Sequence, residues 1–307
     1  MSSNKKIIHV LMILMVLFLS LMVYLTYFQL FKAPKLAESG QNPRTALKEQ
    51  SIKRGDIVSA DGEKLAYSEF DGDRQIRNYP YGSLYSHVIG YSSQTYGKSM
   101  LENSYNGYIM GTGFSNQIFN LKQYISGEKK EGANLTLTID HKLQKKAAEL
   151  MNGKNGAVVA INPKTGATLA LLSNPSYDTN EKSLKENWAK LAESEDSVFL
   201  ARATSGLYAP GSVFKTVTAA SAVENRLDDM KFEDNGSVYV DSHEFKNYGG
   251  KKHGNIDIYQ GFAVSSNVVF VTLADKLGYS KLSATAKNFM IGEKINYDVP
   301  LQTGQIL

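Results

Sequence analysis

Hydrophobic positions divide the chain into stretches with different periods. From Ile7 to Phe28 there is no period: these 22 residues contain no Asp, Glu, Lys or Arg, and fourteen are Leu, Ile, Val or Phe. As a helix rising about 1.5 Å per residue, such a run spans the roughly 30 Å hydrocarbon core of a bilayer. Its side chains favour insertion by an amount on the order of several kcal/mol. A cleaved signal peptide has an apolar region of about 7–15 residues followed by a small-residue site, and Phe31-Lys32-Ala33-Pro34-Lys35 offers no A-x-A. The run is therefore expected to persist as an anchor. Lys5 and Lys6 before it keep the N-terminus cytoplasmic and the bulk outside, although Lys32 and Lys35 weaken the asymmetry.

Beyond the anchor, Ser39 to Ser51 is polar, and then short apolar stretches, Ile57-Val58 and Leu65-Ala66, alternate with turn signals at Asp61-Gly62 and Asp71-Gly72. This predicts a small strand-rich module. Tyr79 to Gly113 predicts loop with short helices, and Glu128-Lys129-Lys130-Glu131 a solvated turn. Leu135 to Asp140 alternates like a strand, and His141 to about Met151 has helical spacing with Leu143, Ala147 and Leu150 on one face. Gly156–Ile161 and Thr168–Leu172, joined by Asn162-Pro-Lys-Thr-Gly166, predict a β-hairpin with its last glycine left-handed. A helix is expected around Lys182 to Ala192, and another from Pro210-Gly211, fading at Asn225. Strands followed by helices give an α+β class. The division expected is a cytoplasmic tip and anchor over 1–31, a strand-rich domain over 32–152 and a second domain over 153–307.

Composition narrows the function classes. At 307 residues and 42% hydrophobic, the chain has room for the anchor and two folded regions at most. A net charge of +4 makes no case for nucleic acid, since four lysines flank the apolar run. Zero cysteine removes disulfides, thiol nucleophiles and thiolate metal sites.

Candidate chemistry concentrates late in the chain. Ser212-Val-Phe-Lys215 follows Pro210-Gly211 and opens the run Val213, Phe214, Val217, Ala220, Val223. Ser212 thus lies at a helix N-terminus with Lys215 one turn on. Unpaired amides and the positive end of the dipole favour a developing negative charge there. The same field and partial burial disfavour an ammonium, so Lys215 is a candidate general base needing no histidine. Ser-x-x-Lys also occurs at Ser2–Lys5, Ser3–Lys6 and Ser126–Lys129, where neither the Pro-Gly lead nor the apolar helix is present. Downstream, Ser265-Ser266-Asn267 precedes the apolar run Val268 to Leu277, which Gly278 closes as a helix C-cap. A helix cap alone would explain Ser-x-Asn; its pairing with Ser212-x-x-Lys215 is what makes it informative. Gly97-Lys98-Ser99 lacks the glycine a phosphate-binding loop needs, and His243-Glu244 lacks the second histidine of a zinc helix.

Ser-x-x-Lys, then Ser-x-Asn, then Lys-Thr-Gly is the motif set of penicillin-recognising serine enzymes. Tyr208 to Lys215, Gly156 to Gly166, and His253-Gly254 leading to Ala263–Phe270 resemble the transpeptidase domain of class B penicillin-binding proteins. Arg44 with Arg54-Gly-Asp-Ile57, Asp61-Gly62 and Leu65-Ala66 is similar to their juxtamembrane pedestal, and Leu137-Thr-Ile-Asp140 with Leu143-Gln144 to the junction. The resemblance implies an anchor, a strand-rich pedestal and a β-lactamase-like transpeptidase domain. It implies a D,D-transpeptidase in which Ser212 attacks, Lys215 deprotonates it, Ser265 relays the proton and Asn267 orients substrate. No metal or cofactor is implied. The implied partners are peptidoglycan stem peptides, β-lactams, the membrane, and a membrane-embedded glycosyltransferase or other wall-synthesis protein.

Three positions depart from the family pattern. Ala201 stands where many relatives carry Asn, and Met100 where many carry Gly. No Lys-Thr-Gly follows Asn267; the copy at Lys164 to Gly166 precedes the nucleophile and reads as turn chemistry. The expectation is of a fragment lacking the C-terminal strands, with a tethered, non-catalytic scaffold as the alternative function and a β-lactam sensor or hydrolase as a poorer third.

Overall fold

The computed structural model describes residues 2–29, 52–72, 74–111 and 131–306. Arg44, Lys32, Lys35, the polar stretch from Ser39 and most of the Glu128–Glu131 turn lie outside the described residues. Helix α1, Ser2–Tyr27, contains the apolar run, and Ile7–Tyr27 is long and apolar enough to cross a membrane, with a mean hydropathy of 2.7. None of that span is buried against the rest of the chain. The described chain forms two compact units, residues 1–203 and 204–307.

In the first unit, strands β1 (Ile57–Val58), β2 (Lys64–Asp71) and β3 (Arg74–Asn78) form an antiparallel set, which β6 (Leu135–Thr136) joins in parallel beside β1. β4 (Ser92–Ser93) and β5 (Gly97–Lys98) make a two-residue pairing, and the short helices Met100–Ser104 and Asn106–Ile109 follow. The alternating Leu135–Asp140 segment is a regular strand for only two residues, but it continues beside the sheet through Leu137 N to Val58 O, 2.8 Å, and Ala60 N to Ile139 O, 2.9 Å.

Within this unit lies a buried ion cluster. Glu102, fully buried, accepts from Arg54 Nη2 at 2.5 Å, Arg77 Nε at 2.7 Å and Tyr79 Oη at 3.2 Å. Burial pushes its carboxyl up, but Arg77 and Arg54 outweigh that and hold it at about 2. Because folding depresses this carboxyl, its stabilisation is present above the ordinary value of 4.5 and is lost as pH falls through about 2. Removing one partner of a buried pair leaves uncompensated charge. Glu102→Gln is therefore expected to destabilise this unit by about 3–5 kcal/mol. Denaturant unfolding read by hydrogen exchange in β2 and β3 checks this, and unchanged protection there would refute it.

Helix α2, His141–Met151, starts where the periodicity placed it, with Asp140 Oδ1 capping Leu143 N at 2.8 Å. Its buried face differs from the expected one. Gln144 and Ala147 are buried, whereas Leu143 and Leu150 are exposed. Gln144 earns its position by completing two backbone bonds of a strand, accepting from Leu171 N at 2.8 Å and donating to Leu171 O at 2.9 Å. That strand is β8 (Thr168–Asn174), paired antiparallel with β7 (Gly156–Ile161) in the hairpin the turn chemistry predicted. Helix α3, Glu181–Ala192, carries Leu184 into a cluster with Tyr177 and Val198, and Trp188 stacks on Tyr96 at 3.8 Å between centroids.

The second unit begins its regular structure with one 3-10 turn, Gly211–Phe214, running into helix α4, Lys215–Glu224. Strand β9 (Lys231–Asp234) pairs with β12 (Gly254–Asp257), and between them lies the hairpin of β10 (Ser237–Val240) and β11 (His243–Lys246). Helix α5, Ile258–Ala263, then precedes α6, Asn267–Asn288. Gly278 interrupts α6 with φ 70°, so the first helical segment ends where the C-cap was expected and a second follows directly. Ala222, Phe232, Ile256, Ile258, Val269, Phe270 and Leu273 form the core between α4, α5, α6 and the β9–β12 pair. Gly261 lets α5 approach α6: a Cβ there would lie 2.8–3.0 Å from Val269 side-chain atoms.

Candidate active site

Ser212 and Lys215 share the start of α4. The first turn is 3-10, a geometry in which side chains three apart eclipse, so the two residues are stacked along one edge of the helix. Ser212 is exposed and Lys215 half-buried. The sequence placed Lys215 one turn beyond Ser212; it did not show where the amine goes. Lys215 Nζ donates to Ser265 O at 2.6 Å, to Asn267 Oδ1 at 2.7 Å and to Ser265 Oγ at 3.0 Å. Among the described residues no hydrogen bond joins it to Ser212. Burial lowers the Lys215 amine below the ordinary lysine value, although Phe270 presents its ring 5.8 Å from the ammonium.

Three acceptors for three N–H groups describe a resting ammonium. When it loses a proton, two N–H groups remain, enough for the two shorter contacts. The lone pair then faces the third partner, Ser265 Oγ, whose own O–H can donate to it. The arrangement thus makes a reversible proton bridge between Lys215 and Ser265. Ser265 is held with φ +55°, a left-handed conformation costing a non-glycine residue roughly 1–2 kcal/mol. Its strain sits at the corner between α5 and α6, where Ser265 N bonds Phe262 O at 3.1 Å and Ser266 N bonds Gly261 O at 2.8 Å.

Ser266, the middle residue of Ser-x-Asn, is the N-cap of α6, its Oγ accepting from Val269 N at 3.1 Å. Asn267 is the first helical residue; its Nδ2 donates to Lys246 O at 2.7 Å. Thus Lys215, Ser265 and Asn267 converge, and Ser212 lies one turn before Lys215, in the 3-10 turn that leads into α4. Lys164–Gly166 lies in the β7–β8 turn, as its sequence context predicted. No group of three His, Cys, Asp or Glu side chains among the described residues is arranged to hold a metal ion.

Residues 54–135 match the family model of the penicillin-binding protein A dimerisation domain, and residues 156–307 that of the penicillin-binding protein transpeptidase domain. The chain belongs to the class B penicillin-binding proteins. Within this family it is 33% identical over 86% of its length to the peptidoglycan D,D-transpeptidase PbpA of Mycolicibacterium smegmatis, covering 57% of that protein. It is 28% identical over 75% of its length to the peptidoglycan D,D-transpeptidase MrdA of Acinetobacter baumannii, covering 39%. Among solved structures, penicillin-binding protein A from M. tuberculosis as an imipenem acyl-enzyme superposes with a TM-score of 0.75 at 30% identity. That match covers 80% of this chain and 61% of the other. The chain therefore spans little more than half the length of the PbpA relatives it matches.

Two side chains behind this class B site carried no sequence signal. Asp234 reads as part of an Asp-Asn-Gly turn and Asn247 as loop, yet both are buried beneath Ser266 and Asn267. His253, quoted above only for its resemblance, donates its Nδ1 proton to Asp234 Oδ2 at 2.7 Å. A polar residue two places before a glycine is ordinary turn composition, so nothing local distinguishes Asp234 or Asn247.

Proposed function

We propose that this class B penicillin-binding protein is a peptidoglycan D,D-transpeptidase working through a Ser212 acyl-enzyme. The observation that carries the reading is the convergence of Lys215, Ser265 and Asn267 beside Ser212, in a chain whose relatives are named D,D-transpeptidases and form β-lactam acyl-enzymes. Ser212 Oγ attacks the penultimate D-alanyl carbonyl while its proton passes to neutral Lys215. The carbonyl carbon–nitrogen bond then breaks, and the proton moves through Ser265 to the departing D-alanine amine. An amine of a neighbouring stem attacks the ester, its proton returns by the same route to Ser212, and the cross-link leaves. Asn267 positions the substrate backbone while its Oδ1 holds Lys215.

By the same reading β-lactams acylate Ser212 as substrate mimics, and a membrane-embedded glycosyltransferase or other wall-synthesis protein is the protein partner. The functional partition is anchor 1–31, pedestal 32–152 and transpeptidase 153–307. The start of the transpeptidase family model at residue 156 supports the last boundary. The deciding experiment is exposure of the full-length protein to fluorescent penicillin, followed by proteolysis and mass spectrometry. The label is expected on the peptide containing Ser212. No covalent adduct would favour the tethered scaffold instead.

Anchoring through α1, with the N-terminus cytoplasmic, belongs to the same proposal and rests on the apolar run and on Lys5 and Lys6. Protease added outside intact cells is expected to leave a membrane fragment ending near Lys35. A mature N-terminus after Phe31 would overturn this topology.

A further inference from the structure

Beneath Ser-x-Asn lies a polar cluster assembled from four separate parts of the second unit. Asp234, at the end of β9, is fully buried. Its Oδ1 accepts from Gly236 N at 3.0 Å and Asn247 Nδ2 at 2.7 Å. Its Oδ2 accepts from Ser266 Oγ at 2.7 Å, His253 Nδ1 at 2.7 Å and Asn247 Nδ2 at 2.9 Å. A buried carboxylate is costly unless its lone pairs are filled, and here they are. Burial pushes the Asp234 carboxyl up, but the bonds from His253, Ser266, Asn247 and Gly236 outweigh it and keep the group ionised.

This carboxylate fixes the polarity of two other groups. Asn247 Nδ2 is drawn to Asp234 and to Lys251 O at 2.8 Å, which forces Asn247 Oδ1 toward the start of α6. There it accepts from Asn267 N at 2.8 Å and Val268 N at 3.2 Å. Ser266 Oγ gives its proton to Asp234, so its lone pair is left for Val269 N. Three of the first four amides of α6, which no helical carbonyl satisfies, are thus held by groups that Asp234 orients. With the amide of Asn247 flipped, an NH2 group would face two N–H groups.

We propose that Asp234 is a positioning residue for acylation: by orienting Asn247 and Ser266 it locks the head of α6, and so holds Ser265 and Asn267 on Lys215. The inference rests on the transpeptidase reading above. Ser265 is strained, and a strained residue persists only where its surroundings over-determine it. The locked amides on one side and the Lys215 contacts on the other supply that constraint. When the lock is lost, Ser265 relaxes and its hydroxyl leaves the proton path. A misplacement of about 1 Å in such a constellation can cost about 10²-fold.

The test uses full-length protein and the second-order rate of acylation by fluorescent penicillin, expressed per folded molecule. Asp234→Asn puts an NH2 group among donors and is expected to slow acylation about 10–100-fold. Asn247→Asp sets two carboxylates together and is expected to do the same. Should Asp234→Asn fail to fold, Ser266→Ala removes one donor without changing charge and is expected to slow acylation by roughly tenfold. A purely structural role would lower the folded fraction and leave the rate per folded molecule unchanged. That result in both Asp234→Asn and Ser266→Ala overturns this inference alone. Wild-type protein that never acylates overturns the transpeptidase reading, and this inference with it.

Discussion

Replacing Ser212 by Ala is expected to abolish covalent penicillin labelling of the full-length protein while leaving its folding transition in place. Ser212 is exposed at the head of α4, so losing its hydroxyl creates no cavity and breaks no buried hydrogen bond. Structural cost is then small, and the effect falls on the chemistry. Among the described residues, Ser212 combines a helix N-terminus with a lysine one turn on that reaches Ser265 and Asn267. In-gel fluorescence at saturating penicillin measures this. Labelling that survives in Ser212→Ala at the wild-type level would remove the nucleophile assignment.

The second large effect is at Lys215. Lys215→Ala is expected to slow acylation by about 10²–10⁴, the range for losing a general base. The mechanism uses the neutral amine, and burial lowers the amine below the ordinary lysine value of 10.5. Acylation of the wild type should therefore rise with pH as the ammonium deprotonates, level off below the ordinary lysine range, and fall on acidification. Lys215→Arg keeps the charge and the donors but does not deprotonate in this range, so it should be as slow as Lys215→Ala and lack the inflection. Stopped-flow acylation between pH 5 and 10 reads both features, those limits being set by the roughly neutral-to-basic range a shifted lysine titrates in. A wild-type profile without the rise, or a Lys215→Ala rate within about tenfold of wild type, would remove Lys215 from the base role.

Several elements were legible because their causes are local. The apolar helix α1 follows from 22 residues in a row without Asp, Glu, Lys or Arg, and the β7–β8 hairpin from two apolar runs separated by Asn-Pro-Lys-Thr-Gly. The start of α2 follows from Asp140 ahead of an amphipathic stretch. Its buried face was misread because apolar spacing ranks Leu143 and Leu150 above Gln144. Gln144 is buried for a reason outside the helix: strand β8 has two backbone groups at Leu171 that only an amide can satisfy together. In α4, likewise, Val217, Thr218, Ser221 and Ala222 are buried while Val223, and Val213 in the 3-10 turn before it, stay exposed, because small side chains let α4 pack closely on α6.

By itself, then, the sequence determined the apolar helix, the β7–β8 hairpin, the start of α2, the order of the motifs and the one-turn spacing of Ser212 and Lys215, all of which are set by residues close together in the chain. Tertiary structure alone decided which acceptors Lys215 meets, since Ser265 lies 50 positions on and arrives only through the β9–β12 pairing and the α5–α6 corner. It also decided that Asp234, Asn247, His253 and Ser266 form one buried cluster, and that Arg54 and Arg77 share Glu102. Hydrophobic periodicity reports which face leaves water. A buried polar group is stable only where donors and acceptors from distant segments match it, and that matching exists only once the chain has folded.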